Sequence, residues 1–257
     1  MPVRVHAAPC LCDFRNASKD DLVLQLELLN RARQSPAIYA AWVRLRDVRS
    51  YYIGLRKKSF SQHGEDQFVA KYFAGRPPGF YLDIGASHPF RISNTYLLYR
   101  TGWRGVTVEP IPFLGALHRK WRPRDRLLPV AVGREPGRLP FFEMTPSVLS
   151  TLDRKTYEEY VREGRAVLSK TYDIQVVPLD EVIRLATREN SVDFLSIDIE
   201  GLDAEVLESI DLKSFRPELV CVECNDGEVK ARIEKMFSSC SYEILTELGC
   251  NVIARAR

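Results

Sequence analysis

The chain has 257 residues, 45% of them apolar and 28% charged, with a formal net charge of only +3. This is the composition of an ordinary soluble globular protein with length for one large domain, or one domain and an appendage, and the small charge gives no argument for nucleic acid as a partner. No eighteen apolar residues run together, so no transmembrane segment is expected.

The beginning, "MPVRVHAAPCLCDFR", lacks the continuous apolar stretch of a secretory signal, and the expected location is the cytoplasm. Six cysteines in a chain this long do not resemble a dense disulfide framework. Residues 1–58 read as a helical extension. "DDLVLQLELLNRA" places leucines and a valine at helical spacing behind acidic caps, and a second helix begins at Ser35-Pro36 with Ile38, Trp42, Leu45, Val48, Tyr52 and Leu55 in one stripe. This arginine-rich helix, residues 35–58, suits docking on the main domain or on a second subunit of a homo-oligomer. Peripheral contact with an anionic membrane is the alternative, but Arg49 and Arg56 interrupt its apolar face.

From Ser59 to Arg257 strands and helices alternate. "GFYLDIGA", "RGVTVEP" and "RLLPVAVG" read as strands, with helices over "SNTYLLYRTG", capped by Ser93, and "PFLGALHRKW" between them. "RLPFFEM" reads as an added strand, and a less regular region around "TYEEYVREGRAVLSK" precedes the strand "TYDIQVVPL" and the helix "DEVIRLATR". This insertion is expected over the sheet edge. The strand "VDFLSIDIEG", a short helix from about Asp203, the strand "PELVCVECN", the helix "EVKARIEKMF" and an antiparallel pair, "YEILTEL" and "NVIARAR", complete the chain. Cys221 and Cys224 have a C-x-x-C spacing, but on a strand residues three apart face opposite ways and no second pair follows, so they are expected to be buried thiols and not zinc ligands. Trp103 is expected to pack where a helix turns into the second strand.

The unusual polar residues fall at strand ends: Asp83 and Gly85, then Glu109, then Asp198 and Glu200, then Glu223 and Asn225. In an open parallel sheet that edge is where ligands bind, and an acid at the second tip can accept from both hydroxyls of a ribose. "DIGASHPF" has one glycine followed by a proline, which is neither the G-x-G-x-x-G of a dinucleotide site nor a P-loop. An adenosine-type cofactor without a diphosphate fits better, and S-adenosylmethionine is the expected one: Glu109 on the ribose, the region of Asp83 and Gly85 on the amino-acid part. An antiparallel last strand closing a mostly parallel seven-stranded sheet is the Rossmann-like arrangement of class I methyltransferases.

"SQHGEDQF", "LDIGASHPFRISNTYLLYRTGWRGVTVEP", "VPLDEVI" and "VDFLSIDIEGLDAEVLESI" together, in this order, resemble the FkbM family of S-adenosylmethionine-dependent methyltransferases over about residues 59–257. The resemblance implies methyl transfer, commonly to oxygen on a sugar or natural-product hydroxyl, and hence a role such as polysaccharide biosynthesis. Carried onto this chain, Asp83, Gly85 and Glu109 would line the cofactor site, with Gln62, Glu65 and Asp66 covering it; Ser61 also reads as a helix cap there.

A sugar hydroxyl needs a base or a metal to lose its proton. Asp198 and Glu200, two apart on a strand, face one side and are the expected bases, with His88 the other candidate; its alternative is a hydrogen-bonded loop residue. Asp198 with Glu223 and Asn225 would give oxygen ligands for magnesium. Asn94 is a candidate for reaching substrate. The competing functions are a nicotinamide oxidoreductase, which would share the sheet and the ribose acid, and a binding module without catalysis.

Overall fold

The computed structural model of the protein describes residues 58–187 and 191–257. The two helices expected earlier in the chain, and the docking or membrane role attached to residues 35–58, lie outside the described residues apart from Lys58 itself.

Ten strands run in chain order: β1 (Phe80–Ile84), β2 (Arg104–Val108), β3 (Arg126–Leu128), β4 (Ala131–Gly133), β5 (Gly137–Thr145), β6 (Val167–Pro178), β7 (Phe194–Ile197), β8 (Leu219–Glu223), β9 (Tyr242–Leu248) and β10 (Asn251–Ala256). Helices α1 (Glu65–Tyr72), α2 (Tyr96–Arg100), α3 (Pro112–Trp121), α4 (Arg154–Arg162), α5 (Leu179–Ala186), α6 (Asp203–Glu208) and α7 (Gly227–Ser239) connect them. Seven strands form one sheet in the order β3-β2-β1-β7-β8-β10-β9. β1, β2, β3, β7 and β8 are mutually parallel, and β10 runs antiparallel to both β8 and β9. The fold is therefore the Rossmann-like class I methyltransferase fold that the strand pattern predicts.

The apolar strand runs are continuous because both faces of the sheet are covered. On one face Leu82, Val106, Leu195 and Val220 pack with Leu179, Val182, Leu207 and Phe237. On the other Tyr81, Phe194, Leu219 and Cys221 pack with Val69, Phe73, Tyr99 and Trp103. Cys221 and Cys224 accordingly serve opposite faces, Cys224 packing against the first cluster. Trp103 is buried against Phe73, with ring centroids 4.8 Å apart.

Two expectations need correction. "RLLPVAVG" is not one strand: β3 pairs with β2 in the large sheet, whereas β4 leaves to pair with β6 in a second sheet of order β4-β6-β5. Pro129 stands at the break, where it cannot donate to a ladder. The region around "TYEEYVREG" is also more regular than its sequence suggested, since Asp153 caps α4 by accepting from the N–H groups of Lys155 and Thr156. The chain reverses its winding between β1 and β7, and the second sheet with α4 lies over that point.

Candidate active site

Beyond the ends of β1, β2 and β7 lies a cleft with about 540 Å³ of free volume, counted to its open mouth. Gly85, Glu109, Asp198 and Glu200 line it, with an apolar wall that includes Ile111, Val130 and Phe141.

Gly85 has φ +79°, and a Cβ there would overlap the carbonyl of Asp198. A side chain at this position would push β1 and β7 apart at the switch point; only glycine allows the approach. Ser87, two residues on, is held in the left-handed region at φ 48°, a costly conformation for a side-chain-bearing residue. Its carbonyl accepts from His118 Nε2 at 2.9 Å. Burial first, then the neighbouring Arg122 charge, drives the His118 pKa down to about 3, so the ring is neutral and Nε2 carries the proton. The Ser87 hydroxyl is buried without a protein partner and belongs to the cleft lining. An orphaned polar atom in that place is a mark of a ligand site.

Glu109 is 3% exposed, with Oε1 accepting from the Ile111 N–H at 2.6 Å. Burial, partly offset by backbone N–H donors from Ile111 and Ser87, pushes its pKa up to about 8.

Asp198, Glu200, Asp203 and Glu223 crowd together at the ends of β7 and β8. Burial, followed by Glu223 and Asp203, raises Asp198 well above the ordinary carboxylate range; burial and Glu200 do the same to Glu223. Glu200 is pushed up to about 8 by burial and Asp198, although the hydroxyl of Tyr160 donates to its Oε2. Its backbone is at φ 55°, and its carbonyl accepts from the Thr151 hydroxyl at 2.7 Å. No described cation forms an ion pair with any of these four acids.

Carboxylate oxygens of Asp198, Asp203 and Glu223 lie within 4.8 Å of one another. Three hard oxygen donors fit a magnesium-like ion. The sequence reading placed Asn225 in this set; here its amide donates to Glu223 Oε2 at 2.8 Å, and Asp203 is the third acid. Asp203 also accepts from the backbone N–H groups of Ile199 and Gly201, so it holds the strand-to-helix turn as well.

The other residues singled out from the sequence lie outside the cleft lining. His88 is buried, its ring 4.5 Å from that of Phe90 and its Nδ1 accepting from the Phe90 N–H at 3.3 Å. Asn94 donates to Ser196 Oγ at 3.1 Å. Asp66 accepts from Ser59, Ser61, and the N–H groups of Phe60 and Gln67, organising the start of α1. Glu65 accepts from Asn251 at 2.8 Å and so ties α1 to β10, while Gln62 is exposed. One oxygen of Asp83, Oδ2, accepts from the Thr95 hydroxyl and lies 3.8 Å from the Arg122 guanidinium. Sequence reasoning missed Ser87 as a cleft residue, and also Ser147, Ser150, Leu152 and Tyr160 from the insertion.

The model of the methyltransferase FkbM domain matches residues 83–244, well over half of the chain. The chain belongs to the FkbM methyltransferase family. This FkbM protein is an enzyme, and S-adenosylmethionine is its cofactor. No curated protein matches it in sequence. Among solved structures it is similar to the Burkholderia thailandensis 1,6-didemethyltoxoflavin-N1-methyltransferase with bound 1,6-didemethyltoxoflavin and S-adenosylhomocysteine, at 12% identity and a TM-score of 0.40, over 86% of this chain and 90% of that one. Among the described residues of the FkbM protein no helix is long and apolar enough to cross a membrane.

Proposed function

We propose that this methyltransferase acts on oxygen, at a hydroxyl of a sugar in a glycan or of a hydroxylated natural product, with Glu200 or Asp198 as the base. The observation that carries this reading is the pair of carboxylates, lining one cleft with Gly85 and Glu109, with which no described cation forms an ion pair.

The residues present fit the cofactor. Glu109 can receive ribose hydroxyls, Gly85 leaves backbone room, Ser87 offers a spare hydroxyl, and Val130 with Phe141 provide an apolar wall for a purine. The region of Asp83 and Gly85 is assigned to the amino-acid side, with Gln62, Glu65 and Asp66 covering the site from the preceding segment. When bound, S-adenosylmethionine supplies an electrophilic methyl group on a sulfonium.

The protein's contribution is to hold the acceptor hydroxyl in line and to take its proton. A hydroxyl is a weak nucleophile until that proton leaves. Glu200, with an elevated proton affinity, is matched to accept it near neutral or mildly alkaline pH. Asp198 beside it favours positive charge in the cleft. Asp198, Asp203 and Glu223 would hold a divalent cation, which would acidify and orient the hydroxyl directly.

The test is incubation with methyl-labelled cofactor and fractionated polysaccharide or polyhydroxylated metabolites, with and without chelator. Glu200→Gln and Asp198→Asn should each lower transfer at least about 100-fold while S-adenosylhomocysteine still binds. Unchanged turnover in both variants would refute the assignment of the base. Labelling confined to nitrogen would refute the acceptor class.

A further inference from the structure

Arg122 ends α3 and is 1% exposed, an unusual place for a guanidinium. Its Nε donates to Asp125 Oδ2 at 2.6 Å, and its Nη2 donates both to the Tyr81 hydroxyl at 2.8 Å and to Thr95 Oγ1 at 2.8 Å. Nη1 lies 3.8 Å from Asp83 Oδ2. The Thr95 hydroxyl, which accepts from Arg122, donates its own hydrogen bond to that same Asp83 oxygen. The guanidinium also lies over the ring of Tyr81, 5.3 Å from its centroid, so it cannot swing away.

One oxygen of Asp83 is thus fixed from below by a cation and by a hydroxyl that the cation orients. The other, Oδ1, accepts no hydrogen bond from any described residue, and it is not among the buried atoms lacking a partner. Asp83 pairs in register with Ser196, which receives Asn94, and it lies close enough to Asp198 to raise that acid's proton affinity. Asp83 is not itself in the cleft lining but directly precedes Ile84 and Gly85, which are, and so it stands next to the acid-lined end of the strand tips, where a cationic group is favoured.

Resting on the reading that Asp83 serves the amino-acid part of the cofactor, we propose that Arg122 is a positioning residue. It keeps Asp83 in the orientation that leaves Oδ1 to receive the cofactor's α-ammonium, and Thr95 relays that hold. A cation is needed because Asp83 and Asp125 face one another across the same buried space. Without Arg122 the carboxylate of Asp83 would turn or take up a proton, and either change removes an acceptor for an ammonium.

The experiment compares two ligands of the full chain by calorimetry: S-adenosylhomocysteine, which has the amino-acid part, and 5′-methylthioadenosine, which lacks it. In Arg122→Met the affinity for S-adenosylhomocysteine should fall roughly tenfold while that for methylthioadenosine stays within about twofold, since one charge-assisted hydrogen bond is at stake. Arg122→Lys, which keeps the charge, should recover part of the loss. Thr95→Val removes the relay with almost no change in shape, and should show the same split if Arg122→Met does not fold. Equal weakening of both ligands, or no weakening of either, overturns the proposal. Asp83→Asn separates the two levels. If it shifts the ligand ratio and neither Arg122→Lys nor Thr95→Val does, Asp83 keeps its role and Arg122 loses its own; if Asp83→Asn leaves the ratio unchanged, the reading of Asp83 falls and the role of Arg122 with it.

Discussion

Asp83 and Asp198 occupy the ends of neighbouring strands in one sheet, and burial raises the proton affinity of both, yet the groups that face them differ. Beneath Asp83, the side of the sheet carrying α1 and α2 provides Arg122, Thr95 and Tyr81 in a closed network of ionic and neutral hydrogen bonds. Among the described residues the charged groups acting most strongly on Asp198 are further acids, chiefly Glu223 and Asp203. The first arrangement fixes one carboxylate oxygen and leaves the other open. The second accumulates like charge that burial makes costly, and a protein keeps such a cluster where something positive is to be bound or a proton is to be moved.

The contrast breaks most visibly if Arg122 is removed. Arg122→Met should destabilise the protein by about 3–5 kcal/mol, because it leaves Asp83 and Asp125 buried without their cation; chemical denaturation measures this, and a loss under about 1 kcal/mol would mean that the network is dispensable. Asp198→Asn should act in the opposite direction. Removing one member of the crowded acid cluster should stabilise the ligand-free protein by on the order of 1 kcal/mol at alkaline pH, read as a rise in Tm; a fall would show that Asp198 is held by a favourable partner even in the apo state.

pH sharpens the same comparison. Glu109 and Glu200 have folded-state pKa values near 8, above the ordinary carboxylate value of 4.5. Between those values the folded chain holds protons that the unfolded chain releases, so stability falls as pH rises and the loss is complete above about 8. Neutral His118 works the other way, but only below its ordinary value of 6.5. Tm should therefore decline between about pH 6.5 and 8, and the decline should shrink in Glu109→Gln. A flat profile across that window would show that these carboxylates titrate normally. The smallest effect expected is that of Tyr160→Phe, about 1 kcal/mol or less, since Glu200 retains the Thr151 contact at its carbonyl. Its turnover should fall by less than that of Glu200→Gln.

Much of the strand-tip edge of the cleft was readable from local pattern. An apolar run ending in Asp83 and Gly85, a second ending at Glu109, and the absence of a phosphate loop placed the ligand edge and its class before any contact was known. The part of the cleft built by the insertion was not. Tyr160 stands forty residues before Glu200 on a helix with an ordinary mix of charges, and nothing in "TYEEYVRE" says which tyrosine reaches across to a strand tip. Ser147, Ser150 and Leu152 lie in a loop whose composition is generic. Arg122 was hidden most thoroughly. It belongs to "HRKWRPRDR", a run that reads as a solvated basic face, and only packing reveals that one of its cations is enclosed.

By itself the sequence determined the sheet, its winding, the antiparallel closure and the glycine-and-acid edge, because strand periodicity, turn residues and cofactor chemistry are local properties. The tertiary structure alone decided which charges are paired. Pairing depends on distance through space between segments far apart in the chain, and in a low-dielectric interior that distance determines whether a carboxylate is a structural anchor or a reactive group.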